Sequence, residues 1–125
     1  MTTEEAKELL IKELGWPKFM VELGVRAKFR CEYCDKYLLK SVDVYDSWQK
    51  DHIIPNGGDD PSNLAIACKT CNFIKRHTDP ISRAKGTDRD SLIQAAREII
   101  QERRNEKQKI LSKTREAAEV ILSEQ

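Results

Sequence analysis

Histidine, aromatic residues and long apolar runs are all scarce in this chain of 125 residues. It has two histidines, and aromatic side chains make up 6% of it. No segment approaches the roughly 18 apolar residues that a membrane span needs, so no membrane partner is expected. The opening MTTEEAKELLIKELG has neither the basic start nor the unbroken apolar run of a secretory signal. A cytoplasmic location is therefore expected. Thiols stay reduced there, and paired cysteines more often hold a metal than form a disulfide. Internal repeats and low-complexity segments are lacking as well. The length suits one compact domain, with an appendage at most. With 39% hydrophobic and 34% charged residues, the surface is rich and the core modest.

A net charge of +1 argues at first against a polyanionic partner, but the charges are unevenly spread. Residues 26–40 hold five basic side chains against two acidic, and residues 64–89 hold six against two. Residues 1–25 and 41–63 are acidic in balance. The two basic stretches are the ones that contain the cysteines. A fold that joins them gathers positive charge on one side, as phosphate binding requires. An ordinary solvated surface would carry the same charges, so charge alone does not decide.

The pattern of elements is mixed. Thr2 and Glu5 fit a capping box for a helix over about residues 3–14, with Ala6, Leu9, Leu10 and Leu14 as its apolar stripe and Gly15 and Pro17 as its stop. In the following WPKFMVELGV, the side chains of Trp16, Phe19, Val21 and Leu23 are expected to pack in the core. KFRCEYCDKYLLKS reads as a short strand turning through a knuckle, and SVDVYDSW as a helical turn. WQKDHIIP and NLAIAC read as two strands joined by the turn-rich loop NGGDDPS, and KTCNFIKRHT as a short helix. From Asp88 to Ser123 there is no proline or glycine, and the stretch is helical throughout. Its apolar faces, Leu92, Ile93, Ala96, Ile99 and Ile100 and then Ile110, Leu111, Ala117, Val120 and Ile121, are separated by a wholly polar middle. One long helix and two helices folded back on each other both satisfy that pattern. Sustained heptads are missing.

All four cysteines stand in pairs of one spacing, Cys31-x-x-Cys34 and Cys68-x-x-Cys71, with 33 residues between the pairs. Two intervening residues let both thiolates reach one ion from a tight turn. Two such turns complete a tetrahedral sulfur site, and zinc fits it best. With no open position the ion is structural, and in so small a domain it supplies much of the folding free energy.

A zinc staple does not require Asp51, His52, Asn63 or Asn72. CEYC, then DHIIP, then NLAIACKTCNFIK make the sequence resemble the HNH endonucleases, specifically those whose ββα-metal core is clasped by a four-cysteine zinc. The likeness spans about residues 28–80. It implies a small zinc-stapled ββα-metal core; with the N-terminal helix and the long C-terminal helical region that flank it and inherit nothing from the resemblance, an α+β fold is expected. The divisions are residues 1–27, 28–80 and 81–125. It also implies DNA as substrate, Asp51 and Asn72 as ligands of a catalytic Mg²⁺ or Mn²⁺, His52 as general base, and Asn63 as the residue that orients the imidazole. Two oxygen ligands suit Mg²⁺, which keeps waters and takes phosphate oxygens. Imidazole exchanges protons near neutral pH. Lys75 and Arg76, three and four residues beyond Asn72, share its helix face and are candidates to hold a phosphate. His77 falls too far round the helix to ligate an ion. The alternative is a zinc-dependent module that binds nucleic acid or protein without cleaving. The C-terminal helices are expected to dock on a second copy as a homodimer, on a protein partner or on the DNA.

Overall fold

The computed structural model describes residues 1–125. Two strands form its sheet: β1 (Gln49–His52) and β2 (Leu64–Ala67) run antiparallel, with Gln49 opposite Ala67 and His52 opposite Leu64. Five α-helices accompany them: α1 (Thr3–Glu8), α2 (Lys18–Arg26), α3 (Val42–Ser47), α4 (Lys69–Lys75) and α5 (Arg89–Ser123). The fold is mixed α+β, and β1, β2 and α4 follow one another in the order the sequence suggested. No helix is long and apolar enough to cross a membrane.

Every residue of β2 is buried, whereas β1 is polar and buries only Asp51. A two-stranded hairpin is marginal by itself, so this one depends on what surrounds it. The free edge of β2 is covered by the first cysteine knuckle. The Glu32 N–H donates to the Ile66 carbonyl at 2.9 Å, and the Ile66 N–H donates back to the Glu32 carboxylate at 2.9 Å. That closes an edge that would otherwise be open to pairing. Glu32 is clamped in turn by Arg89 at 2.6 Å and faces Arg26 at 3.8 Å.

The core draws on the whole chain. Leu23 of α2, Tyr33 and Leu38 around the first knuckle, Ile53, all of β2, Ile74 of α4, and Leu92, Ala96 and Ile100 of α5 form one buried cluster. The first half of α5 thus helps to bury the hairpin that carries the candidate site.

The N-terminal segment differs in part from expectation. The Thr2–Glu5 capping box forms, but α1 ends at Glu8 and continues as a wider turn over Leu9–Glu13, closed by a bond from the Leu14 N–H to the Leu9 carbonyl. Gly15, at φ +75, then reverses the chain. Trp16 packs on Trp48 (ring centroids 5.5 Å) and edge-on to Phe29 (6.0 Å), which ties this segment to the hairpin and the knuckle. The stretch after Pro17 is helical, which its apolar spacing did not announce. Trp16, Val21 and Leu23 are buried as expected, but Phe19 is 44% exposed because it sits at the margin of α2's buried side, below the Lys50 ammonium at 5.1 Å. Gly24 lets the Phe29 ring lie on the helix backbone, where a β-carbon would stand 2.6 Å from Cε1.

α3 forms as the sequence suggested, capped by the Ser41 side chain. The C-terminal stretch is one unbroken helix, capped by Asp88, so the folded-back alternative does not occur.

Candidate active site and metal staple

The four cysteines converge. Their sulfur atoms all lie within 4.8 Å of one another, and Cys34 and Cys68 are 3.7 Å apart. A tetrahedral zinc–sulfur site with bonds of about 2.3 Å has edges of about 3.8 Å, so the donor set fits that ion in both chemistry and spacing. The local backbone prepares it. Asp35, at φ +66, turns the first knuckle, the Cys31 N–H donates to the Lys36 carbonyl, and the Cys71 N–H donates to the Cys68 sulfur. Hydrogen bonding among the packed thiols, led by Cys31, holds Cys34 down to about 6. Arg104 donates to the Cys71 sulfur at 3.2 Å; burial, the largest single influence, lowers its pKa, but that bond and the charges of the Cys71, Cys34 and Cys68 sulfurs together raise it. A guanidinium beside the sulfurs favours the thiolates that a metal needs.

Three of the four chemistry-bearing residues named from the sequence meet at one cleft. Asp51, His52 and Asn72 line an open depression of about 900 Å³ together with Lys50, Pro55, Asn56, Gly58, Asp59, Phe73, Arg76 and His77. Because neighbouring strand residues face opposite ways, Asp51 turns toward α4 and His52, the last residue of β1, turns toward the loop.

Asp51 is 7% exposed, and its Oδ2 is held twice. The Tyr33 hydroxyl donates to it at 2.6 Å and the Lys75 ammonium approaches to 3.1 Å. Burial, with the Asp51 charge beside it, pushes the Tyr33 pKa far up, so that hydroxyl stays protonated and donates. Asp51 Oδ1 makes no hydrogen bond within the protein and is not sealed from solvent. Asn72 donates its amide to Gln49 at 2.5 Å, which leaves its carbonyl oxygen to the cleft. Asp51 Oδ1 and Asn72 Oδ1 are therefore the free hard-oxygen donors, a set that fits Mg²⁺ or Mn²⁺. The nearby Lys75 ammonium opposes a cation there.

Lys75 corrects an expectation. Its side chain is 2% exposed and its ammonium is spent on Asp51 and on the His52 carbonyl at 3.0 Å, so it cannot reach a phosphate. Arg76 is exposed at the cleft, over the Phe73 ring at 4.5 Å, and keeps that capacity. His77 is also exposed on the cleft wall, apart from the oxygen donors' hydrogen-bond network.

Asn63 is placed elsewhere than the imidazole. Its carbonyl accepts from the Ile54 N–H at 2.9 Å, and its amide donates to the carbonyls of Ile54 (3.1 Å) and Gly58 (3.0 Å). It shapes the loop that follows β1. Gly57 is required there, because a β-carbon would stand 2.8 Å from the Asn63 amide. The contact to His52 comes instead from Asp59, whose Oδ1 lies 2.6 Å from Nε2. A carboxylate only accepts, so Nε2 carries the proton and Nδ1 holds the lone pair. The bond to His52 holds the Asp59 carboxyl below the usual carboxylate range. Asp59 and Tyr33 were not picked out from the sequence. NGGDD reads as turn chemistry, and a tyrosine between two cysteines reads as packing.

The family model of HNH endonucleases matches residues 31–78, from the first cysteine to just past α4. That segment, 48 of the 125 residues, is similar to the HNH endonucleases. No curated protein and no solved structure matches the chain.

Proposed function

We propose that the protein is a metal-dependent endonuclease that hydrolyses DNA phosphodiester bonds. The observation that carries this reading is the convergence of Asp51, His52 and Asn72 on one open cleft within the family-matched segment. In this reading His52 is the general base: Asp59 fixes the Nε2 tautomer, and Nδ1 takes a proton from the attacking water. Asp51 and Asn72 hold the divalent ion, whose chemistry when bound is to neutralise charge on the scissile phosphate and the departing oxygen. Tyr33 and Lys75 fix the Asp51 carboxylate so that one oxygen faces the cleft. Asn63 sets the loop that brings Asp59 to the imidazole. Arg76 meets a neighbouring phosphate. The cysteine site binds zinc and holds the hairpin against α4 and α5 without taking part in the chemistry.

The test is supercoiled plasmid incubated with wild-type and His52→Ala protein in Mg²⁺, in Mn²⁺ and in EDTA. Cleavage by wild type that EDTA abolishes, and that the variant loses by 100-fold or more (about 10²–10⁴-fold for a general base), is the expected result. Cleavage at the parental rate by His52→Ala would remove the base assignment.

The Lys75–Asp51 ion pair favours a second reading, a zinc-dependent module that binds nucleic acid without a catalytic ion. Calorimetric titration of the zinc-loaded protein with Mn²⁺ separates the two. One Mn²⁺ bound, and lost in Asn72→Ala, belongs to the nuclease, and no heat belongs to the module.

A further inference from the structure

Beyond Lys107, whose ammonium lies over the Phe73 ring at 5.6 Å, α5 leaves the body of the protein. Arg104 makes the last hydrogen bond from the helix to the core. Further on, Ile110, Leu111, Val120, Ile121 and Leu122 are 44–69% exposed. A helix of this length without tertiary packing is marginal in water, and bare aliphatics in such numbers mark an interface.

The order of the charges identifies the occupant. Between residues 107 and 115 every charged side chain is basic: Lys107, Lys109, Lys113 and Arg115. Between residues 116 and 124 every one is acidic: Glu116, Glu119 and Glu124. A second copy laid parallel would set base on base. Laid antiparallel, it sets the basic half on the acidic half twice over. The apolar positions obey the same symmetry. Ile110, Thr114, Ala117 and Ile121 follow at steps of four, three and four, which is the seam of a paired helix. Turned about an axis between Arg115 and Glu116, Ile110 comes level with Ile121 of the second copy, Thr114 with Ala117, and Lys107 with Glu124. Leu111 and Ala118 flank the seam on one side.

We infer that the distal half of α5 is a self-complementary dimerisation helix, pairing antiparallel with a second copy of this chain about a two-fold axis between Arg115 and Glu116. A contact of this kind is closed, with the same patch on both partners. DNA fits this half less well, since its outer end carries three carboxylates and no base. The inference stands on α5 alone and does not depend on the nuclease reading.

Sedimentation of the zinc-loaded full chain from about 1 to about 200 µM tests it. The expected result is a dimer mass at the upper end of that range. Ile121→Asp should be monomeric throughout, with unchanged zinc content and near-UV spectrum, because Ile121 lies outside the core. Lys107→Glu should weaken pairing about tenfold, and Lys107→Glu combined with Glu124→Lys should restore it. A monomer at every concentration would overturn the inference. So would a dimer that survives Ile121→Asp, and so would a charge swap that fails to restore pairing.

Discussion

From Arg89 to Arg104, α5 is fastened to the stapled core by four arginines, whereas from Asn105 to Ser123 the same helix touches almost nothing of its own chain. Arg89 reaches the Glu32 carboxylate at 2.6 Å and the Leu64 carbonyl at 2.9 Å. Arg97 reaches the Glu32 carbonyl at 2.8 Å and Asp35 at 2.6 Å. Arg103 serves the carbonyls of Ile74 and Lys75, the orphan acceptors at the end of α4, and Arg104 serves the Cys71 sulfur. Short elements leave many unpaired acceptors, and the guanidinium fork meets two at once where an ammonium meets one. Past Arg104 the basic residues are Lys107, Lys109, Lys113 and Arg115. The change from mostly arginine to mostly lysine coincides with the point where packing stops.

The largest effect that separates the halves comes from the metal. Stripping zinc with a strong chelator, or Cys34→Ser, should abolish cooperative unfolding of the core, since a structural zinc contributes on the order of 10 kcal/mol. The Trp16–Trp48 pair gives the readout, as its near-UV circular dichroism should collapse. A near-UV spectrum that survives chelation would mean that the core stands without its staple.

A core truncation should come next. Ile100 is 2% exposed, and Ile100→Ala should cost about 3 kcal/mol in urea unfolding. Ile110→Ala, at a site 65% exposed, should cost less than about 0.5 kcal/mol in dilute solution. Equal costs would erase the distinction between the halves.

Sequence periodicity could not have drawn that distinction. Both halves carry apolar stripes, and period alone does not say which one has a surface to meet. The parts legible in the sequence were those whose chemistry leaves few options: the paired cysteines, the Asp51–His52 step at a strand end, the hairpin and the helical character of the C-terminal stretch, though not that it is one helix. The parts that were not legible depended on direction. Lys75 lies one turn beyond Asn72 on α4, but its own side chain runs inward to Asp51 and the His52 carbonyl rather than out to a phosphate. Asn63 was read as an imidazole partner because the family resemblance implies it. The close approach of Gly57 and Gly58 instead gives the loop backbone first use of its amide, and Asp59 takes the ring.

Removing the clamp on Glu32 should rank with or just below the core truncation. Glu32→Ala strips Arg89 of its carboxylate and leaves the Ile66 N–H unpaired, removing one of the two bonds that cover the edge of β2, at about 2–3 kcal/mol. On the distal half, Glu106→Ala removes a solvent-exposed partner of Lys109 and should change stability by less than about 0.5 kcal/mol. The ratio between these two, measured in one denaturant series, shows how far the arginine clamp differs from an ordinary helical ion pair.

The smallest expected effect sharpens the same comparison through pH. The hydrogen bond from Arg97 holds the Asp35 carboxyl below its ordinary range. A carboxyl so depressed stabilises the fold where it is ionised, above its unfolded value of about 3.9, and loses that contribution only as pH falls through the folded value. The pair is largely solvent-exposed on the aspartate side, so Asp35→Asn should cost less than about 1 kcal/mol. The deficit should be the same at pH 8 and pH 6, because the carboxyl is ionised in both states throughout. Any loss of wild-type stability over that interval then belongs to other groups, foremost the four thiols, which must give up protons to hold zinc. A deficit that shrinks between pH 8 and pH 6 would show that Asp35 acts through the cysteine site rather than through Arg97.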